Sequence, residues 1–256
     1  MNNSIIFEQP LNERVRTFLR LEHLFDIVNH HITQTSDWDH RIVITNLLNI
    51  TDLLSRSDIK SELIKELERH SSTLNSLQSN PNVDHDRLSS ILDNINGYLV
   101  GLRGSSCQPG QLLRQNELIT SIKQRSTIPG GSCNFDLPGY HHWLNKPVEE
   151  RTEDLNRWKN DLLIICDSLK FSLLMIRNST SPVRERAESG FYQKIIESNL
   201  SCHLIRIVLP DESKYFPEIS GGKHRFTVRF MEQGKTEERP IQTNDTVEFE
   251  FHCCIL

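Results

Sequence analysis

Two adjacent histidine pairs, His30-His31 and His141-His142, are the first residues in this chain that invite a chemical reading. Metal capture needs ligands that converge, and neighbouring residues on a helix point to different sides, so neither pair suits a single ion. No C-x-x-C, H-E-x-x-H or H-x-x-x-H frame supplies a better set. Cys253-Cys254 stands without a second pair. With Ile255 and Leu256 it matches a prenylation box only formally, and the alternating Val247, Phe249 and Phe251 that lead into it read as a strand. Pro129-Gly130-Gly131-Ser132 has the makings of an anion nest but lacks the phosphate-loop frame, and a tight turn accounts for it. No G-x-S-x-G frame occurs, and spacing singles out no Ser, His and acid set. The sequence nominates no catalytic residue, metal ligand or cofactor. A binding protein is expected, not an enzyme.

The charges say more. Arg16 and Arg20 are one helical step of four apart and project from the same side of a helix. Arg56 falls at the junction of two expected helices, where a C-terminal dipole favours a cation. Lys223, Arg225, Thr227 and Arg229 share one face of an expected strand, while Phe226, Val228 and Phe230 share the other. Acids elsewhere offer these cations an ordinary fate. Glu248 and Glu250, expected on a neighbouring strand, are placed to pair with Arg225 and Arg229, worth about 0.2–1 kcal/mol each, and Glu13 and Glu22 do the same for the first helix. Arginine's planar fork suits bidentate capture of carboxylates, so a cluster of this kind fits an acidic peptide or a phosphate. The net charge of −5 argues against a surface built to coat nucleic acid. A nucleic-acid-binding protein using the basic strand face is the alternative, and the scarcity of aromatics on that face speaks against it.

These residues have to be positioned by a chain of 256 residues, 36% hydrophobic and 25% charged, which is long enough to bury one large core or two modest ones. No stretch approaches the roughly 20 apolar residues of a membrane helix. Glu8, Glu13 and Arg14 interrupt any secretory pattern. The six cysteines follow no repeating frame and read as reduced thiols of a soluble cytoplasmic protein.

Leu11, Val15, Phe18, Phe25, Val28 and Ile32 fall at helical spacing, with Pro10 in the first turn. Ser36 and Asp39 form a capping box for a second helix striped by Val43, Leu47, Ile50 and Leu54. Ser57 is the expected cap of a third, which Asn80-Pro81 ends, and Leu88, Ile91, Ile95, Leu99 and Leu102 mark a fourth. A short helix with Leu113, Leu118 and Ile122 follows, then a possible strand at Cys133 to Leu137. From Leu155 to Ile176 the helical rhythm returns as one long helix or a pair. Beyond Ser181 the period drops to two, with strands expected around 203–209, 225–230 and 246–252 and a weaker one at 189–195. Short connections between long amphipathic helices favour an antiparallel bundle. The fold class is α+β: an antiparallel helical bundle domain, discontinuous in sequence, plus a smaller antiparallel β-sheet domain.

Two long stretches carry a resemblance. Phe7-Glu8-Gln9-Pro10-Leu11-Asn12-Glu13-Arg14, continuing from Arg16 to Glu22, and Ser126-Thr127-Ile128-Pro129-Gly130-Gly131-Ser132-Cys133-Asn134-Phe135-Asp136-Leu137-Pro138 resemble the ZapD family of bacterial cell-division proteins. Glu62 to Leu67, Gly190 to Gln193, Ile219-Ser220-Gly221 with Arg225-Phe226, and the closing cysteine pair support it. The resemblance implies a helical domain at 1–115 and 148–180 and a β-domain at 116–147 and 181–256. It also implies a cytoplasmic homodimer at the mid-cell division site. Such a dimer binds the C-terminal tail of the tubulin-like protein FtsZ, and by holding two tails it cross-links and bundles filaments in the Z ring. No membrane, nucleic acid or cofactor is implied. Family basic positions match Arg16, Arg20, Arg56, His141, Arg225 and Arg229, and Lys223 belongs to the same strand face. The resemblance further implies a positively charged cleft between domains that receives the tail. Glu117 stands where a family member can carry arginine.

Overall fold

The structure, a computed structural model, describes residues 4–196, 202–222 and 225–255. The chain divides into two compact units, Phe18–Ser172 and a second made of Met1–Thr17 with Leu173–Leu256. The fold is α+β, and each unit has its own logic.

The helices are α1 (Glu13–His31), α2 (Asp37–Arg56), α3 (Ile59–Asn75), α4 (His85–Arg103), α5 (Gln111–Gln115), α6 (Glu117–Arg125), α7 (Pro138–Leu144), α8 (Val148–Asn160) and α9 (Leu163–Arg177). Their starts are written locally. The Ser36 hydroxyl accepts from the Asp39 N–H at 3.1 Å and donates to the Asp39 carboxylate at 2.6 Å. Asp84 and Asn116 cap α4 and α6 through their N3 amides at 3.0 Å each. The cap of α3 is Asp58 and not Ser57, because the Asp58 carboxylate takes the Ser61 N–H at 3.1 Å while the Ser57 hydroxyl turns back to the Leu53 carbonyl.

Apolar stripes then build the helical core. Phe18, Leu21 and Phe25 of α1, Ile44, Leu47 and Ile50 of α2, and Leu63 and Leu67 of α3 are completely or almost completely buried. Each such side chain contributes roughly 1.5–3 kcal/mol on leaving water. Helix α3 packs on α4, and α2 packs on α8. The rhythm from Leu155 to Ile176 resolves into a pair, α8 and α9, with a break at Asp161-Leu162 where the Asp161 carboxylate accepts the Leu112 N–H at 2.9 Å.

The stretch from Cys133 to Leu137 is not a strand. Successive turn bonds, Gly131 N–H to Ile128 O, Cys133 N–H to Gly130 O and Asp136 N–H to Cys133 O, satisfy the backbone locally, so no partner strand is needed. Residues 116–147 accordingly hold α6, α7 and turns, and they fall inside the helical unit.

The strands are β1 (Ser4–Pro10), β2 (Val183–Ala187), β3 (Phe191–Ile195), β4 (Cys202–Pro210), β5 (Tyr215–Gly221), β6 (Arg225–Glu232), β7 (Ile241–Gln242) and β8 (Val247–Ile255). One antiparallel sheet has the order β1-β4-β8-β2, and the other has β3-β6-β5 with β7 pairing β6. Phe226 of β6 stacks on Phe251 of β8 at 5.2 Å, and Phe230 meets Phe249 at 5.0 Å, so the two sheets bury their apolar faces against each other.

Pro10 therefore closes a strand and does not open a helix. As β1 is an edge strand, proline at its end costs no ladder bond from a central position. Helix α1 starts later, with the Asn12 carboxamide oxygen accepting the Val15 N–H at 2.8 Å.

Candidate functional site

The strand face expected to be basic is real where the structure describes it; Lys223 lies outside the described residues. On β6, Phe226, Val228 and Phe230 are buried in the sandwich while Arg225 and Arg229 are exposed. Period two has put both arginines on the outer face of the second sheet, at backbone positions about 13 Å apart along the strand. Neither has an ion pair within 4.0 Å among the described residues.

The expected pairing with Glu248 and Glu250 does not occur. Those acids are on β8, whose neighbours are β4 and β2 in the other sheet. There Glu248 pairs with Arg186 at 2.7 Å, and Glu250 lies opposite Arg184 in register. Alternation correctly put all four residues on outer faces, but pairing between distant strands decides which face. The rungs beside the arginines are different residues: Ile195 lies opposite Arg225, Gln193 opposite Thr227, and Phe191 opposite Arg229. On the other side Glu218 of β5 is in register with Arg229.

The remaining candidates lie on helices. Arg16 and Arg20 share one side of α1, and Arg16 is bonded to Glu13 at 2.7 Å, the partner its sequence neighbourhood suggested. Arg20 is exposed. Arg56 is the last residue of α2 and is exposed, held where the helix dipole favours a cation. His141 is an exposed residue of α7, next to Tyr140 and ahead of Trp143, both of which are buried. Glu117 opens α6, a position at which a helix favours a carboxylate.

Behind the strand face, the Lys194 ammonium lies over the Phe251 ring at 4.9 Å and pairs with Glu185 at 3.0 Å. Burial works to raise the Glu185 carboxyl, but hydrogen bonds from Lys194 and Tyr192 outweigh it and the net shift is downward. The Tyr192 phenol is pushed well up by burial and by that same carboxylate. Among the described residues no group of three or more His, Cys, Asp or Glu is placed to hold a metal ion. No helix among them is long and apolar enough to cross a membrane.

The family model for ZapD, described as a cell division protein, matches residues 19–229. The chain belongs to the ZapD family. A ZapD protein of Methylococcus capsulatus is 42% identical over 256 residues, covering 100% of both chains. One from Coxiella burnetii is 35% identical over 252 residues, 98% of each chain, and one from Cupriavidus pinatubonensis is 37% identical over 251 residues, 98% of this chain and 99% of that one. A role in cell division follows from ZapD membership. The ZapD match spans Arg20, Arg56, His141, Arg225 and Arg229 and begins just after Arg16.

Proposed function

We propose that this chain binds the C-terminal tail of FtsZ in the cytoplasm at mid-cell. As a homodimer it would hold tails from two filaments, cross-linking and bundling them to stabilise the Z ring. Membership of the ZapD family supports a place in the division machinery. The observation that carries the docking chemistry is the pair Arg225 and Arg229, exposed on one sheet face with no ion pair among the described residues. Two unspent guanidinium groups on a rigid strand suit carboxylates of an extended chain. Arg56, Arg20 and His141 are further exposed candidates, and Arg16 is the weakest, since Glu13 already holds it.

Dimerisation is what turns tail binding into bundling, because a second site on the same particle acts at high effective concentration once the first is filled. The decisive experiment is co-sedimentation with assembled FtsZ, full-length and tail-less. Pelleting and bundling with the full-length polymer alone is the expected result. Equal bundling of tail-less polymer would overturn the reading, and sedimentation equilibrium of the chain alone tests the dimer.

A further inference from the structure

The outer face of the β3-β6-β5 sheet is more than a pair of charges. Ile195 is 75% exposed and Phe191 is 41% exposed, and they stand directly opposite Arg225 and Arg229 in the antiparallel register. Side chains on opposite rungs lie about 4.5–5.5 Å apart at Cβ, so each arginine has an apolar neighbour against its stem. Single exposed apolar side chains are ordinary. Two of them, each beside an arginine with no ion pair among the described residues and separated by one polar rung, form a patterned surface.

The placement on β3 sharpens the point. β3 is an edge of its sheet, and proteins commonly guard such edges with outward charge, often lysine. Here Lys194, the cation of β3, is spent on Glu185 and Phe251. Phe191, Gln193 and Ile195 are left facing out. The strand has placed apolar area where isolation would favour charge.

We propose that this face docks an extended acidic segment that also carries apolar side chains, its carboxylates meeting Arg225 and Arg229 and its apolar groups covering Ile195 and Phe191. The inference rests on the reading that the Arg225–Arg229 face receives an acidic tail, and it adds what else that tail must contain. Charge complementarity selects the occupant: the exposed cations call for acids, and the apolar rungs gain from leaving water only if the ligand brings apolar groups of its own. Among the described residues an acid, Glu218, lies beside Arg229 and none beside Arg225, so there the Ile195–Arg225 rung is the stronger half of the surface.

The test uses the full chain and two fluorescein-labelled peptides of equal length and equal acidic charge. One carries leucines between its aspartates and the other serines. Fluorescence anisotropy should show the leucine peptide binding roughly tenfold more tightly. Ile195→Thr and Phe191→Thr keep strand propensity while removing apolar area, so they should erase that advantage with an unchanged melting temperature. Arg225→Glu should weaken both peptides. Equal affinity for the two peptides, with Arg225→Glu still weakening both, would overturn the apolar component and leave the acidic-tail reading standing. An advantage that survives both threonine substitutions would overturn the assignment to this face. Failure of both peptides to bind would overturn the inference together with the reading beneath it.

Discussion

Glu8 and Arg177, 169 residues apart, meet in a two-pronged ion pair: Arg177 donates from Nε at 2.9 Å and from Nη2 at 2.8 Å to the two carboxylate oxygens. Arg206 Nε reaches the same carboxylate at 2.9 Å, so one acid on β1 holds the end of α9 and the middle of β4. All three side chains are mostly buried. Removing the acid takes away the charge it supplies to two largely buried guanidinium groups, which is costlier than losing a surface bridge. Glu8→Gln is expected to cost about 2–3 kcal/mol and lower the thermal midpoint by roughly 5–10 °C. A midpoint within about 1 °C of the parent would show that the pair contributes nothing net.

The tight turn that carries the chain from β2 in one sheet to β3 in the other makes a second demand. Ser189 has φ 51° and Gly190 φ 65°, two successive left-handed residues of the kind a tight hairpin needs. A Cβ at Gly190 would lie 2.6 Å from the Thr243 carbonyl oxygen. Gly190 also donates to the Asp245 carbonyl at 2.9 Å and accepts from the Phe230 N–H at 2.8 Å, so its backbone has no room to retreat. Gly190→Ala is expected to destabilise by about 2–4 kcal/mol, strain and clash together. Chemical denaturation measures it, and a loss below about 1 kcal/mol would contradict this account of the turn.

Much of this is legible from residue order, and most of the failures share a cause. The stripes through Phe18, Leu47 and Leu63 and the alternation through Phe226 and Phe249 named the major elements, because helix and strand periods are local. Nothing local marks β1, and only its last residue, Pro10, is expected in a helix, because Ile5 to Pro10 pair with residues of β4 some 200 positions away. β2 is likewise paired at long range, with β8, whereas β5 pairs with its sequence neighbour β6 and is hidden by Pro217 in its middle. The basic stripe was visible through period two, yet its neighbours were misassigned to Glu248 and Glu250. Strand order, which no single stretch encodes, determined that Ile195 and Phe191 stand there instead.

Acid should destabilise the fold. His40 is fully buried in α2, and its Nε2 contacts the Gln34 carbonyl at 3.1 Å; a carbonyl only accepts, so that nitrogen carries the hydrogen. Burial, and then the charge of Arg151, hold its pKa below the ordinary 6.5. Burial, and then Arg206, push His252 the same way. The sign follows: below about pH 6.5 the unfolded chain takes up protons that the folded chain refuses, so stability is full above that pH and falls as pH drops toward the folded values. The free energy of unfolding, measured by chemical denaturation from about pH 7.5 down to about pH 5.5, should decline by up to about 1.4 kcal/mol per pH unit for each histidine. His40→Gln, which keeps a donor for Gln34, should flatten part of that slope. An unchanged slope in this variant would remove His40 from the explanation.

Charge already spent within the fold should matter less to a partner than charge held in reserve. Arg225 and Arg229 are exposed without an ion pair among the described residues, whereas Arg16 is held by Glu13 at 2.7 Å. Arg225→Glu or Arg229→Glu is therefore expected to weaken co-sedimentation with assembled FtsZ on the order of tenfold, while Arg16→Ala changes it less than about twofold. Arg56→Glu should fall on the side of the strand arginines, since no described residue neutralises it. Raising salt from about 50 to about 300 mM should weaken the parent more than the reversed variants, because reversal has already removed part of the attraction that salt screens. Melting temperatures of the strand variants should match the parent, as each substituted side chain faces water. Were Arg16→Ala the damaging change and Arg225→Glu the silent one, the tail would have to dock through the first helix, and the strand face would lose its role.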